Sequence, residues 1–371
     1  MARSLPEPWA EPEAYRVEPA DLDADAHGII ALWSSNLGHA ERRQGKFEWF
    51  YRGNPAGRPM VLLLRHAQSE VPVGTVGIGL RAMRCGTAFL SAGLMGDFAV
   101  NAQHRTLFPA LTLQRAVLER GLASHPVLYG FPNAKSLPVV KRAGFAVMGH
   151  LGRYVGVLRT SDHLPSALPT ALRRFVGGAL DAILHAARLI GPSLLDRDKH
   201  DAQWLSRPDD RFDALWAEQA ADRTIIGTRD RAFLHWRFVQ KPSRHYRLFT
   251  LTARVPQGGA GPHPSADALR GYAVCEPVGE TLYVRDFLVA PLWQRNLARL
   301  FRALMREAAR QGYARISMEC LGPDTVLDAL SMAGLRLRDA SSQPVILATT
   351  PEGAACLAGK DWYLTNADAD E

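Results

Sequence analysis

At 371 residues the chain is long for one compact core and predicts two or three domains. Its 47% hydrophobic and 22% charged residues read as an ordered globular protein. Its formal net charge of +7 is spread without a run of like charges, which argues against a nucleic-acid footprint. The cysteines, Cys85, Cys275, Cys320 and Cys356, form no C-x-x-C pair, so neither a zinc site nor a disulfide framework is expected, and a reducing, cytoplasmic setting is.

Residues 1–15 are polar and carry no apolar core of a signal peptide. Periodicity then predicts a helix over 31–49 and strands over 61–65, 71–84 and 89–100, the second carrying Gly74, Gly77 and Gly79. An amphipathic helix follows over 107–121, a short buried strand over 127–131, and a helix over 136–143 ended by Gly144. Residues 161–204 contain Pro165 and Pro169 and then an Ala/Leu/Arg helical run to Ile190. Arg173, Arg174, Asp181, His185 and Arg188 interrupt that run, so no membrane span is expected and a packed helical linker is. The same order then returns: strands over 246–252, 271–276 and 282–289, a helix over 297–312, a strand over 315–320 and a helix over 325–333. Residues 256–268 are a Gly- and Pro-rich loop. Residues 361–365 are expected to dock through Trp362 and Tyr363 before the chain frays.

The return is a repeat. Phe47-Glu48-Trp49-Phe50-Tyr51 leads to Asn54-Pro55, and Phe233-Leu234-His235-Trp236-Arg237-Phe238 leads to Lys241-Pro242. Later come Asp97-Phe98-Ala99-Val100 and Asp286-Phe287-Leu288-Val289, then turns at Gly144 and Gly334. Trp49 to Asp97 spans 48 residues and Trp236 to Asp286 spans 50; Asp97 to Gly144 spans 47 and Asp286 to Gly334 spans 48. Landmarks in one order at nearly equal gaps indicate a duplicated α/β unit. The aromatic clusters at Trp49 and Trp236 are read as core anchors.

A meander of strands, a strand ending Asp-Phe-Ala-Val, a basic turn and a helix resemble the GNAT acyltransferase superfamily. The resemblance covers roughly residues 17–160 and 206–350 and implies two tandem GNAT-like domains with mixed α/β sheets. The first would span 1–160, a helical linker 161–205, and the second 206–371. It further implies transfer of an acetyl or other acyl group from acyl-CoA to an amine, without a metal. The alternative left open is a catalytically silent module that binds acyl-CoA or a protein partner. Neither acceptor nor oligomeric state is legible.

In the family a Gly-rich turn at a helix N-terminus holds the CoA diphosphate, because unpaired amides and the helix dipole attract an anion. The matching run here is Arg105-Thr106-Leu107-Phe108-Pro109-Ala110, with Phe108 in place of the first glycine. His104 precedes it. By the same resemblance Phe98, Ala99 and Val100 would line the pantetheine, with amides beside Val100 polarising the acyl carbonyl. Asn133, eleven residues before Gly144, and Ser136 would flank the same arm. The family's general acid, a tyrosine, is replaced by Val140, which leaves Tyr154 as a candidate. Asp97, Glu48 and His104 are candidate bases. Asp97 recurs as Asp286, so a structural role is also expected of it. In the second half only Arg295 of the turn is retained, and Pro323 and Leu330 replace the asparagine and tyrosine, so loss of CoA binding is expected there.

Overall fold

The computed structural model describes residues 14–159, 200–219, 224–253, 268–291 and 293–370. The helical run predicted to Ile190 and almost all of the loop over 256–268 lie outside them. No described helix is long and apolar enough to cross a membrane.

The first half runs β1 (Tyr15–Pro19), α1 (Ala26–Asn36), α2 (Ala40–Lys46), β2 (Met60–His66), β3 (Pro72–Cys85), β4 (Ala88–Val100), α3 (Leu107–Ser124), β5 (Val127–Gly130), α4 (Leu137–Ala143) and β6 (Ala146–Val157). The helix predicted over 31–49 is broken, because Gly38 (φ 68°) and His39 (φ 50°) turn the chain between α1 and α2. Residues Phe47–Arg52 then wind as a π-helical turn. That turn presses on β3 through glycines. A Cβ on Gly77 would overlap the Tyr51 hydroxyl, and one on Gly79 would overlap the Phe50 ring. The glycine spacing along β3 is thus the imprint of the aromatic cluster.

The second half runs β7 (His200–Leu205), α5 (Asp210–Ala217), β8 (Thr224–Gly227), α6 (Arg231–Leu234), β9 (Arg247–Ala253), β10 (Leu269–Val278), β11 (Thr281–Val289), α7 (Trp293–Arg310), β12 (Arg315–Leu321), α8 (Asp324–Met332), β13 (Arg336–Thr349), α9 (Pro351–Leu357) and β14 (Asp361–Thr365). A π-helical turn, His235–Val239, repeats that of the first half. His200–Leu205, assigned from sequence to the helical linker, is instead a strand antiparallel to β9. None of its residues is buried, and they lack the alternation that marks a half-buried strand, which hid it from pattern reading.

One path of strands runs β1-β2-β3-β4-β5-β13-β6-β12-β11-β10-β9-β7. The order is a palindrome of the two repeats about the β13–β6 pair, and each repeat gives its late strand to the other. β13 pairs with β5 (Ile346 opposite Gly130), while β6 pairs with β12 (Ile316 opposite Gly156). β5 would otherwise present an open edge, and so would β12. One apolar core accordingly runs through both halves. A second packs Leu62, Leu64 and Ile78 against Leu113 and Val117 of α3.

Candidate functional site

β4 and β5 are parallel neighbours from Ala92–Val127 to Met95–Gly130, and beyond Met95 they have no further paired residues. At the same place β4 bulges against β3, where the register jumps from Gly77–Gly96 to Thr75–Ala99. Asp97 sits in the bulge with φ 50°, a left-handed conformation rare for a residue with a side chain. The parted strands open a cavity of about 460 Å³. Gly96, Asp97 and Phe98 form one wall and Phe131, Asn133 and Ser136 the opposite one. Gln343, Glu319, Asn366 and Asp370 reach it from the second half.

The corresponding parting in the second half is occupied by the chain itself. β11 and β12 are paired from Thr281–Arg315 to Val284–Met318. Past that point β14 pairs with β12 (Cys320 opposite Thr365), and the Tyr363 hydroxyl donates to the Phe287 carbonyl of β11 at 2.5 Å. The strand thus bridges both arms. Residues 366–370 do not fray: Asp368 is fully buried and paired with Arg229 and Arg81, and they continue into the first cavity.

Asp97 and Asp286 are both buried structural acceptors as well as repeat landmarks. Asp97 receives Lys46 Nζ at 2.8 Å and the Tyr51 hydroxyl at 2.8 Å. Asp286 receives Arg229 Nε at 3.0 Å, the Tyr272 hydroxyl at 2.8 Å and the Thr365 hydroxyl at 2.7 Å. Burial raises the Asp97 pKa and the Lys46 ammonium opposes it, with Asp370 adding repulsion. Unlike Asp286, Asp97 also faces a cavity.

Of the other predicted residues, Phe98, Asn133 and Ser136 line the cavity. Asn133 Oδ1 accepts from the Lys135 and Ser136 amides, each at 3.0 Å, so it also starts α4. Ala99 and Val100 are buried in β4 above the opening. Arg105 donates to the Val100 carbonyl and to Asn36 Oδ1, so its guanidinium is engaged in holding the turn. His104 Nδ1 lies 3.0 Å from the Tyr15 hydroxyl. Thr106 precedes α3 in extended conformation with no side-chain cap. Leu107 is exposed, and Pro109 and Ala110 are buried. Phe108 tilts onto Tyr15, ring centroids 6.3 Å apart. The run from His104 to Ala110 stays outside the cavity lining.

Two predicted catalytic residues are not brought to the cavity. Glu48 is exposed and paired with Arg52 at 2.8 Å. Tyr154 lies on β6 opposite Met318 and Leu337, within the exchanged strands, where burial pushes its hydroxyl up to about 12. Leu151 of the same strand lines the cavity, but Tyr154 does not, and no residue of the Phe47–Arg52 turn that carries Glu48 lines it.

The cavity also holds polar groups not anticipated from sequence. Gln114 of α3 is fully buried, and neither its Oε1 nor its Nε2 has a hydrogen-bond partner among the described residues. Asn366 donates to Glu319 Oε2 at 3.2 Å, and its own Oδ1 has no hydrogen-bond partner among the described residues. Asp370 accepts from Lys46 at 3.2 Å and lies over Gly96, whose added Cβ would meet the carboxylate at 2.5 Å. Gln114 had a sequence signal, a polar side chain on the stripe of Ala110, Val117 and Gly121. Asp370 had none. Among the described residues no group of three or more His, Cys, Asp or Glu is placed to hold a metal.

No family model matches the chain, and no curated protein matches it in sequence. Solved structures match in fold. A conserved protein of unknown function from Enterococcus faecalis, described as a probable N-acyltransferase, has a TM-score of 0.59 at 10% identity, covering 90% of this chain and 72% of its own. A GCN5-related N-acetyltransferase from Anabaena variabilis has a TM-score of 0.56 at 12% identity, with 90% and 72% covered. A tandem GNAT protein from the clavulanic acid biosynthesis pathway has a TM-score of 0.50 at 10% identity, with 90% and 98% covered.

Proposed function

The chain has the tandem fold of the GCN5-related N-acetyltransferases, and we propose that it transfers an acyl group, most simply acetyl, from coenzyme A to an amine in the cavity of its first half. One observation carries this reading: the first parting of strands is open over about 460 Å³, whereas β14 fills the second.

Coenzyme A would set its diphosphate at the start of α3, where Leu107 and Phe108 present first-turn amides and no side chain caps them. The tilt of Phe108 onto Tyr15 supports this despite the missing glycine. The pantetheine would follow the edge of β4 between Gly96 and Val100, which lacks a strand partner on the β5 side. Amides of that edge would polarise the thioester carbonyl, where negative charge develops in the transition state.

Asp97, Glu319 and Asp370 give the far end a negative lining suited to an amine. Asp97 is buried and receives both Lys46 and Tyr51 at 2.8 Å, whereas Asp370 receives Lys46 at the longer 3.2 Å, so Asp370 is the better proton acceptor, directly or through water. The neutral amine attacks the thioester carbon, the C–N bond forms and the C–S bond breaks. The amine proton passes to the carboxylate, and the leaving thiolate is reprotonated from it or from water. Holding both reactants in one cavity supplies much of the acceleration.

The test is calorimetric titration with acetyl-CoA, then thiol release on a panel of amines. Saturable binding with turnover on at least one amine is expected. Absence of affinity for any CoA ester overturns the reading, and saturable binding without turnover on a broad panel leaves the silent module in its place.

A further inference from the structure

We infer that a second recess, beside the cavity, binds the oxyanion group, phosphate or carboxylate, of the acceptor molecule; this rests on the transferase reading and narrows its substrate class. The recess measures about 90 Å³. That is well below the ~300–1,000 Å³ of a whole-ligand pocket, so it suits a functional group rather than a molecule. Arg42, Arg43 and Lys46 line it from α2, and Lys241, Ser243 and Arg244 from the matching loop of the second half; no acidic side chain lines it.

Most of these cations have partners. Lys46 serves Asp97 and Asp370, Arg43 donates to the Leu37 and Gly38 carbonyls, Arg42 pairs with Glu41, and Arg244 pairs with Glu276. Lys241 differs. It has neither a carboxylate nor a carbonyl partner among the described residues, and its ammonium stands 5.3 Å from the Trp49 ring centroid and 5.9 Å from that of Tyr246. Burial, then repulsion from Arg237, Arg244 and Lys46, lowers its pKa to about 6, with Glu276 opposing. A bound oxyanion supplies the counter-charge that the fold omits.

The repeat sharpens the point. Asn54 stands at the position of Lys241 in the first half, and there both ends of the amide are used internally, on the Leu80 carbonyl and the Ala56 amide. A self-satisfied residue in one copy is, in the other, a lysine with neither a carboxylate nor a carbonyl partner among the described residues. Two of the four non-glycine residues with left-handed backbone among the described residues, His39 and Ser243, line this recess from opposite halves. Such conformations persist where surrounding structure imposes them and cluster at binding sites. Arg43 lines both recess and cavity, so a molecule with its anion in the recess extends toward Asp97. The acceptor is then an amine that also carries a carboxylate or a phosphoryl group.

The experiment observes Lys241 itself. The full chain is labelled with [13C]lysine, the Lys241 Cε resonance is assigned from Lys241→Arg, and pH titrations are run with inorganic phosphate or acetate against chloride of equal ionic strength. The expected result is saturable binding that raises the Lys241 midpoint by about 1–3 units. A response to phosphate alone assigns a phosphoryl group, and a response to acetate assigns a carboxylate. No response to either anion beyond the chloride control overturns the proposal. Because the readout needs no turnover, a protein that binds phosphate at Lys241 but no CoA ester keeps this site and loses the transferase reading, whereas the reverse result removes this site alone.

Discussion

Trp49 and Trp236 are 187 residues apart in sequence, yet each indole N–H donates to the other's main-chain carbonyl, at 2.8 and 2.9 Å, with the rings 5.1 Å apart and 21° from parallel. The two repeats meet here around the same pseudo-twofold relation that puts β13 beside β6. Each indole satisfies a buried carbonyl that has little access to water. Trp49→Phe or Trp236→Phe should therefore cost about 1–3 kcal/mol beyond the change in ring volume. The double variant should cost less than the sum, because the residues are in direct contact. Urea denaturation of the four proteins measures both, and strict additivity would show that the pair does not act as a unit.

The exchanged strands make the halves mutually dependent. Residues 1–160 expressed alone leave the β5 edge without β13 and β6 without β12. That fragment should aggregate or lack cooperative unfolding, and co-expression with residues 200–371 should recover a soluble complex. Cooperative unfolding of the lone fragment would contradict the pairing.

Ligand protection should be one-sided. Hydrogen exchange with acetyl-CoA present should slow at residues 96–100 and at Leu107 and Phe108, because amides there are unpaired or lie along the open edge. The matching residues 295–300 should not respond, since β14 already occupies the second parting. Protection confined to 295–300 would reverse the assignment of the working half.

Asp370→Asn removes the proposed proton acceptor while keeping its shape. Turnover should fall by about 10²–10⁴ with acetyl-CoA affinity little changed, the range typical for loss of general-base assistance. Steady-state kinetics and calorimetry separate the two effects. Equal loss of both would place Asp370 in binding rather than in proton transfer.

Gln114→Leu tests the orphaned amide. A buried polar group without a partner costs about 1–3 kcal/mol, so an apolar side chain of similar size should stabilise the unliganded protein by an amount in that range. If the amide serves a ligand in the cavity, acyl-CoA or acceptor should bind more weakly to the same variant. Thermal denaturation and binding are both needed, because a gain in stability without a loss of affinity assigns Gln114 no functional part.

Lys241 predicts a pH dependence of definite sign. Its folded pKa of about 6 lies below the ordinary 10.5, so between those values the unfolded chain binds more protons. Its contribution to stability is complete above the unfolded value and is lost as pH falls through the folded one. Relative to Lys241→Met, the unmodified protein should therefore gain stability as pH rises from about 6 towards 10.5, and the difference should shrink when phosphate is bound. Parallel urea midpoints across that range would exclude the shift.

Much of this was local enough to read from the residues. The spacings that link Trp49 to Asp97 and Trp236 to Asp286 reported a true duplication, because each landmark fills the same place in a repeated packing. The strands predicted over 61–65, 71–84 and 89–100 correspond to β2, β3 and β4 within a few residues. Glu48 and Tyr154 do not line the cavity, because nearness in sequence to a site says nothing about the direction of a side chain.

The amino-acid order by itself determined the repeat, its mixed α/β character and the better-preserved first half, since periodicity, turn chemistry and motif spacing act over a few dozen residues. Tertiary structure alone decided that β6 and β13 change places, that β14 closes the second parting and that Asp370 enters the first. Main-chain ladders pair any two compatible edges, so partner choice depends on how all the apolar faces pack at once, and no short-range pattern encodes it.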